Sequence, residues 1–344
     1  MSPVRNSPVD EPPLPLGGAN LLAPLAGYSD EPFRRVCRKT GCFYAFTPLV
    51  DAQAVVHAKD RNRTLLHRGE GEPWLGVQLL GSVPAVLAEA ARRLRDSDFQ
   101  VLDFNLGCPV PKVYKRGAGA ALLENPDLAT ACVAALASAS DIPVTAKIRV
   151  LDSGDPSATV RFCERLTSAG VSALTIHGRV REQYYSGPVD TDCIRAVREA
   201  LPVPVIANGG VFTGHDARLL RQTTGCSRIM VARGAIGNPW VFREVDNPEA
   251  APPSHAEVCS CLEEQLRGMI DLYGETIAMR TGRKVIAAYL KGRGTPRSMR
   301  WNAMQLTRTV EFDRFLRQLR SLRDDREPCP RAHRADELGE ETGP

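Results

Sequence analysis

Eight short β-rich runs, each followed by a longer stretch of helical spacing, constrain what this chain can fold into more than any other feature. The runs fall at 21–25, 43–47, 74–79, 101–106, 144–148, 173–177, 203–207 and 228–231, and most end at Gly, Pro, Asn or a charged residue. Between them, stretches such as 83–95, 127–139, 158–168 and 191–200 carry apolar residues at helical spacing. Eight such alternations predict an α/β protein of the parallel (β/α)8 TIM-barrel class over residues 20–245. A doubly wound sheet is the competing architecture, but the first run is not followed by the GxGxxG turn that would serve a dinucleotide.

After Val245 the pattern changes. DNPEAAPPS (246–254) is Pro-rich and reads as a linker, and Ser254 with Glu257 has the spacing of a helix capping box. Helical spacing then runs through 255–272, 276–290 and 301–319 without strand signals, predicting a C-terminal all-helical domain over 246–322. Basic residues concentrate there: Arg280, Arg283, Lys284, Lys291, Arg293, Arg297, Arg300, Arg308, Arg314, Arg317, Arg320, Arg323 and Arg326. The whole chain carries only +4, so it is this clustering that suits a polyanionic partner; a solvated helix surface is the alternative. Residues 1–19 form a Pro-rich leader without the apolar core of a signal peptide, and 323–344 a polar tail; both are expected to be disordered. No stretch nears the ~20 apolar residues of a membrane helix, so a cytoplasmic protein with no membrane contact is expected. The ten cysteines are scattered, with no CxxC pair. They read as reduced, mostly buried thiols, with no metal site.

Polar residues collect at the ends of the β-runs, where barrel enzymes build their sites. The segments are APLAG (23–27), Gln78, DFNLGCP (103–109), KIR (147–149), HGR (177–179), NGG (208–210) and ARGAIGNPW (232–240). Asn208-Gly209-Gly210 and Ala232-Arg233 follow the last two runs, the usual phosphate cradle of this fold, although two ordinary turns would read similarly. Lys147 near a strand end is costly unless it meets an anion or an electron-rich ring, and Gln78 and His177 stand at matching depth. Cys108 lies on a loop over the barrel mouth with no adjacent His, which suits a proton-bearing thiol better than a nucleophile; an inert buried cysteine is the bland alternative.

These segments together resemble the dihydrouridine synthase family from about Leu21 to Phe242, most specifically through NLGCPVPKVYKRGAGAALL, with KIR, IHGR, PVIANGG and GNPW in the family's order. The resemblance implies FMN as cofactor, NADPH or NADH as reductant, and reduction of uridines in tRNA. Carried over by position, Pro24, Leu25 and Ala26 line the flavin, Gln78, Lys147 and His177 contact its ring, and Asn208, Gly209, Gly210, Ala232 and Arg233 hold its phosphate. Cys108 is then the proton donor, and Asn105 and Arg149 face the uracil. Many members follow the KIR motif with Gly-Trp, where Val150-Leu151-Asp152 stands here. Two other readings stay open: a flavin enzyme of the dihydroorotate dehydrogenase type acting on a small pyrimidine, and a tRNA-binding protein without catalysis. No protein partner is evident.

Overall fold

A computed structural model describes residues 20–57 and 62–331. The expected leader and residues 332–344 of the expected tail lie outside these. Nine strands, all paired in parallel, occur among the described residues: β1 (Leu21–Leu22), β2 (Tyr44–Phe46), β3 (Val50–Asp51), β4 (Leu75–Leu80), β5 (Val101–Leu106), β6 (Val144–Arg149), β7 (Val171–His177), β8 (Val205–Asn208) and β9 (Arg228–Val231). β1 pairs with both β2 and β9, and β2 with β4, so eight strands close a ring. β3 is an addition the sequence pattern did not predict, two residues laid beside Leu79 and Leu80 at the end of β4. The seventh barrel strand begins at Val205 rather than 203, because Pro202 and Pro204 have no N–H to give a ladder.

Each barrel strand leads to a helix: α1 (Glu31–Lys39), α2 (Ala52–His57), α3 (Pro84–Arg93), then α4 (Pro111–Tyr114) with α5 (Pro126–Ala139), α6 (Pro156–Ser168), α7 (Thr191–Ala200), α8 (Gly214–Thr224) and α9 (Val241–Asp246). Proline in the first turn of α1, α3, α5 and α6, with Asp or Asn caps on α1, α5 and α6, sets where those helices start. Inside the ring the lower layer is apolar, built from Leu21, Tyr44, Phe46, Val101, Ala173, Ile206 and Met230. The layers above it are polar, because inward positions alternate along each strand: Asp103 then Asn105, Thr145 then Lys147, Thr175 then His177.

The C-terminal region holds α10 (His255–Tyr273), α11 (Glu275–Leu290), α12 (Arg297–Ala303) and α13 (Thr309–Arg320). Ser254 and Glu257 form the capping box of α10. The single helix read over 301–319 is two. The Glu311 carboxylate accepts from the backbone N–H of Thr307 and Arg308, which starts a new helix after a break at 304–308. The helical core packs Leu262, Leu266, Ile286, Tyr289, Phe312 and Leu316 around Trp240, which the barrel supplies. α1 packs on α10, and Lys39 bridges to Glu264 at 2.6 Å. Residues 323–331, read from sequence as the start of a disordered tail, are seated on this core: Cys329 is buried and its N–H donates to the Pro253 carbonyl at 2.8 Å. No helix among the described residues is long and apolar enough to cross a membrane.

Candidate active site

The loop after β1 is shaped by a buried ion pair. Arg34 is fully buried and grips Glu72 with two bonds of 2.7 and 2.8 Å, while donating to the carbonyls of Ser29 and His67. Burial pushes the Glu72 carboxyl up, but the hydrogen bond and charge of Arg34 outweigh it and hold it below the usual range. Ser29 in turn accepts from the Leu25 N–H at 2.8 Å. Pro24 and Leu25 are thereby held half-buried, and Ala26 exposed, at the end of β1. Lys284 of α11 reaches over this loop, its Nζ 4.0 Å from the centre of the Tyr28 ring. The helical domain thus forms part of the rim.

After β9, which pairs with β1, and after β8 beside it, the expected phosphate residues converge with a group of cations. Lys147 donates to Asn208 Oδ1 at 2.9 Å, and Asn208 Nδ2 donates to the Met230 carbonyl at 2.8 Å, linking β6, β8 and β9. Gly209 and Gly210 follow with φ of +123° and +69°. A Cβ on Gly209 would lie 2.9 Å from the His177 ring, so this turn accepts only glycine without strain. Arg233 lies 4.6 Å from the Tyr185 ring centre, with Arg149 5.5 Å from the same ring. Burial and the neighbouring Arg149 bring the Lys147 ammonium down to about 8. Burial, then Lys147, Arg149, Arg179 and Arg233, hold His177 well below the ordinary imidazole range, so it is neutral at pH 7. Four cations thus surround one imidazole. The acids near them are Asp103, buried below, and Glu182.

Cys108 sits half-buried on the loop after β5. Its carbonyl accepts from Ala120 N–H at 3.0 Å, and Gly119, at φ +63°, brings that segment within contact of the cysteine. Burial raises the thiol above its ordinary value despite Arg149 and Lys147, so it carries its proton at neutral pH. Below it, Asn105 accepts the N–H groups of Gly107 and Cys108 on Oδ1 and donates from Nδ2 to Gln78 at 2.8 Å. Gln78 donates to Asp103, which also accepts from Thr145. Burial pushes the Asp103 carboxyl up to about 6, leaving it mostly ionised at pH 7. Arg149 donates to the carbonyls of Gly107 and Val180, tying the Cys108 loop to the loop after β7.

The structure therefore brings Gln78, Asn105, Cys108, Lys147, Arg149, His177, Asn208, Gly209 and Arg233 to one end of the barrel. GNPW does something else: Asn238 and Trp240 meet buried Arg293 at the seam with the helical domain. Sequence reading gave no role to Asp103, Thr145, Arg179 or Tyr185, although it quoted the segments that hold Asp103 and Arg179. The first two share the inward phase of Asn105 and Lys147 and were open to discovery by strand alternation. Tyr185, on an irregular loop beside Tyr184 at φ +48°, carried no periodic signal.

A closed parallel barrel with a cluster of cations and a half-buried thiol at one mouth defines a protein of the TIM-barrel class. Residues 21–323 match the family model described as dihydrouridine synthase. The chain belongs to the dihydrouridine synthase family. It is 37% identical over 276 residues to tRNA-dihydrouridine synthase B of Proteus vulgaris, covering 79% of this chain and 85% of that one. It is 37% identical over 287 residues to the protein of the same name from Pseudomonas aeruginosa, covering 81% and 85%. Among solved structures, histamine dehydrogenase from Rhizobium sp. 4-9 superposes with a TM-score of 0.51 at 10% identity. The match covers 93% of this chain and 64% of that one, a likeness of fold alone.

Proposed function

We propose that this chain reduces the C5–C6 double bond of uridines in tRNA to 5,6-dihydrouridine, with FMN as resident cofactor, NADPH or NADH as reductant and Cys108 as proton donor. Family membership supports an oxidoreductase that uses a flavin, and the relatives named above act on tRNA. The observation that carries the reading is the half-buried Cys108 thiol and four cations gathered at one barrel mouth. The residues fit FMN: Asn208, Gly209, Gly210, Ala232 and Arg233 form the phosphate end, and Gln78, Lys147 and His177 the polar edge of the ring, with Pro24, Leu25 and Ala26 beside it. When bound, the flavin supplies the hydride that reaches C6 of the uracil, drawn from the nicotinamide. Cys108 delivers the proton to C5, and its thiolate, next to Lys147 and Arg149, is reprotonated from solvent. Asn105 and Arg149 hold the loop that carries the thiol and keep further N–H donors, one on Asn105 and three on Arg149, for the base. A uracil inside a folded tRNA must leave its stack to reach this depth.

The helical domain, 246–322, is proposed to dock the tRNA. Its basic residues divide in two. Arg283, Arg293, Arg320 and Arg323 are engaged within the chain. Arg280, Arg297, Arg300, Arg314 and Arg317 are exposed, and their guanidinium groups have no partner among the described residues. Arg297, Arg300, Trp301 and Met304 share one face of α12 by helical spacing. Trp301 is 68% exposed, whereas Trp74 and Trp240 are 7% and 3% exposed. An indole flanked by cations suits nucleobases and phosphates. Such a reaction belongs in the cytoplasm, where tRNA is.

Replacing Cys108 tests the chemistry. In Cys108→Ala, stopped-flow reduction of the flavin by nicotinamide survives, while dihydrouridine in tRNA, read by mass spectrometry, forms ~10² to 10⁴ times more slowly. Undiminished dihydrouridine formation refutes the donor role.

A further inference from the structure

Four side chains under the Cys108 loop form one hydrogen-bonded line in which every bond is donated toward Asp103. Gly107 N–H and Cys108 N–H donate to Asn105 Oδ1 at 3.2 and 3.0 Å. Asn105 Nδ2 donates to Gln78 Oε1 at 2.8 Å, and Gln78 Nε2 donates to Asp103 Oδ2 at 2.7 Å. Thr145 closes the line on Asp103 Oδ1 at 2.6 Å. An amide keeps its shape when turned end for end, so its orientation is set by its partners. The backbone N–H groups at the top can only donate. Asn105 must therefore offer them its oxygen, Gln78 must offer its oxygen to Asn105, and the Gln78 nitrogen must find an acceptor below. An ionised carboxylate is the group that only accepts. Gln78 and Asp103 are wholly or almost wholly buried and Asn105 nearly so, so water does not readily substitute for a missing partner.

We infer that Asp103 is a positioning residue for the Cys108 thiol: through Gln78 and Asn105 it seats the loop that carries the proton donor. Asp103 touches neither the thiol nor the loop, and its effect on the reaction rests on the role proposed for Cys108 above.

The test separates the acceptor from the charge. Asp103→Leu removes the acceptor. Gln78 then has a buried donor without a partner, and the line loses its lower anchor. Hydrogen exchange at the Gly107 and Cys108 amides of the flavin-free protein is expected to rise at least about tenfold, the signature of a buried polar group losing its partner. Dihydrouridine formation should fall by a similar factor. Asp103→Asn should rescue both, since the Thr145 hydroxyl can turn and accept from the new amide while Oδ1 accepts from Gln78. Unchanged exchange at those two amides in D103L, or D103N behaving as D103L, overturns the inference. Should D103L fail to fold, a reversal of the line decides. Asn105→Asp sets acceptors on both sides of Gln78, so the thermal midpoint falls. Adding D103N lets Gln78 turn round, donating to the carboxylate now at position 105 and accepting from the amide now at position 103, and the midpoint recovers. A double variant less stable than N105D shows that the two ends are not coupled. Cys108→Ala keeps the readings apart: if it forms dihydrouridine normally, the donor role fails, while amide exchange still decides the seating.

Discussion

Lys147→Met should abolish a pH dependence of flavin affinity that the wild-type protein shows above neutrality. In the flavin-free protein Lys147 loses its proton at about 8, because burial and Arg149 oppose the charge. Binding an electron-rich ring and its phosphate favours the charged form and raises that value. Affinity is therefore full below pH 8 and declines as pH rises through it. If only the protonated lysine binds well, Kd grows in inverse proportion to the protonated fraction, so it rises about tenfold between pH 7 and pH 9, or about 1.4 kcal/mol. The window is clean: a phosphomonoester is already doubly charged above its second pKa near ~6, and His177 is neutral throughout. The assay is a fluorescence titration of flavin-free protein with FMN at pH 7, 8 and 9. Wild type should lose affinity across the series, and K147M should bind more weakly at pH 7 and change little thereafter. A flat wild-type profile, or a slope retained in K147M, refutes the assignment of Lys147 to the flavin.

Gly209→Ala forces a side chain into φ +123° and within 2.9 Å of the His177 ring; a cost of ~1–2 kcal/mol lowers FMN affinity roughly five- to thirtyfold by the same titration. Arg34→Met leaves Glu72 buried with Arg38 as its one cation and the Gly69 N–H as its other partner, and denaturant unfolding should register a loss of about 3–5 kcal/mol. Trp301→Ala should weaken tRNA binding by about 1–3 kcal/mol without changing its dependence on salt, because stacking releases no counterions. Arg297→Glu with Arg300→Glu should lower both affinity and salt slope in gel-shift titrations. These substitutions are preferable to truncation near Val245, which would strip the cover from Trp240 and the outer face of α1.

Much of this protein was legible before any coordinates. Eight β-rich runs alternating with helical ones, with no GxGxxG turn after the first, favour a barrel over a doubly wound sheet, and the polar residues at their ends then meet at one mouth. Local chemistry carried the caps as well, as Ser254 and Glu257 illustrate. The break between α12 and α13 escaped because it depends on one carboxylate, Glu311, folding back on Thr307 and Arg308, while the apolar spacing runs on past it. What only the tertiary structure decided is which polar atoms meet. Spacing along a strand says that Asp103 and Asn105 share a face, but their partners Gln78 and Thr145 come from neighbouring strands 25 and 42 residues away in sequence, through register. The division of the basic residues is of the same kind. In sequence Arg293 and Arg297 look alike, yet one is buried against Asn238 and Trp240 and the other lies open to solvent on α12. Side-chain type determines which interactions are available to a residue; packing, by removing water from some and not others, determines which are used.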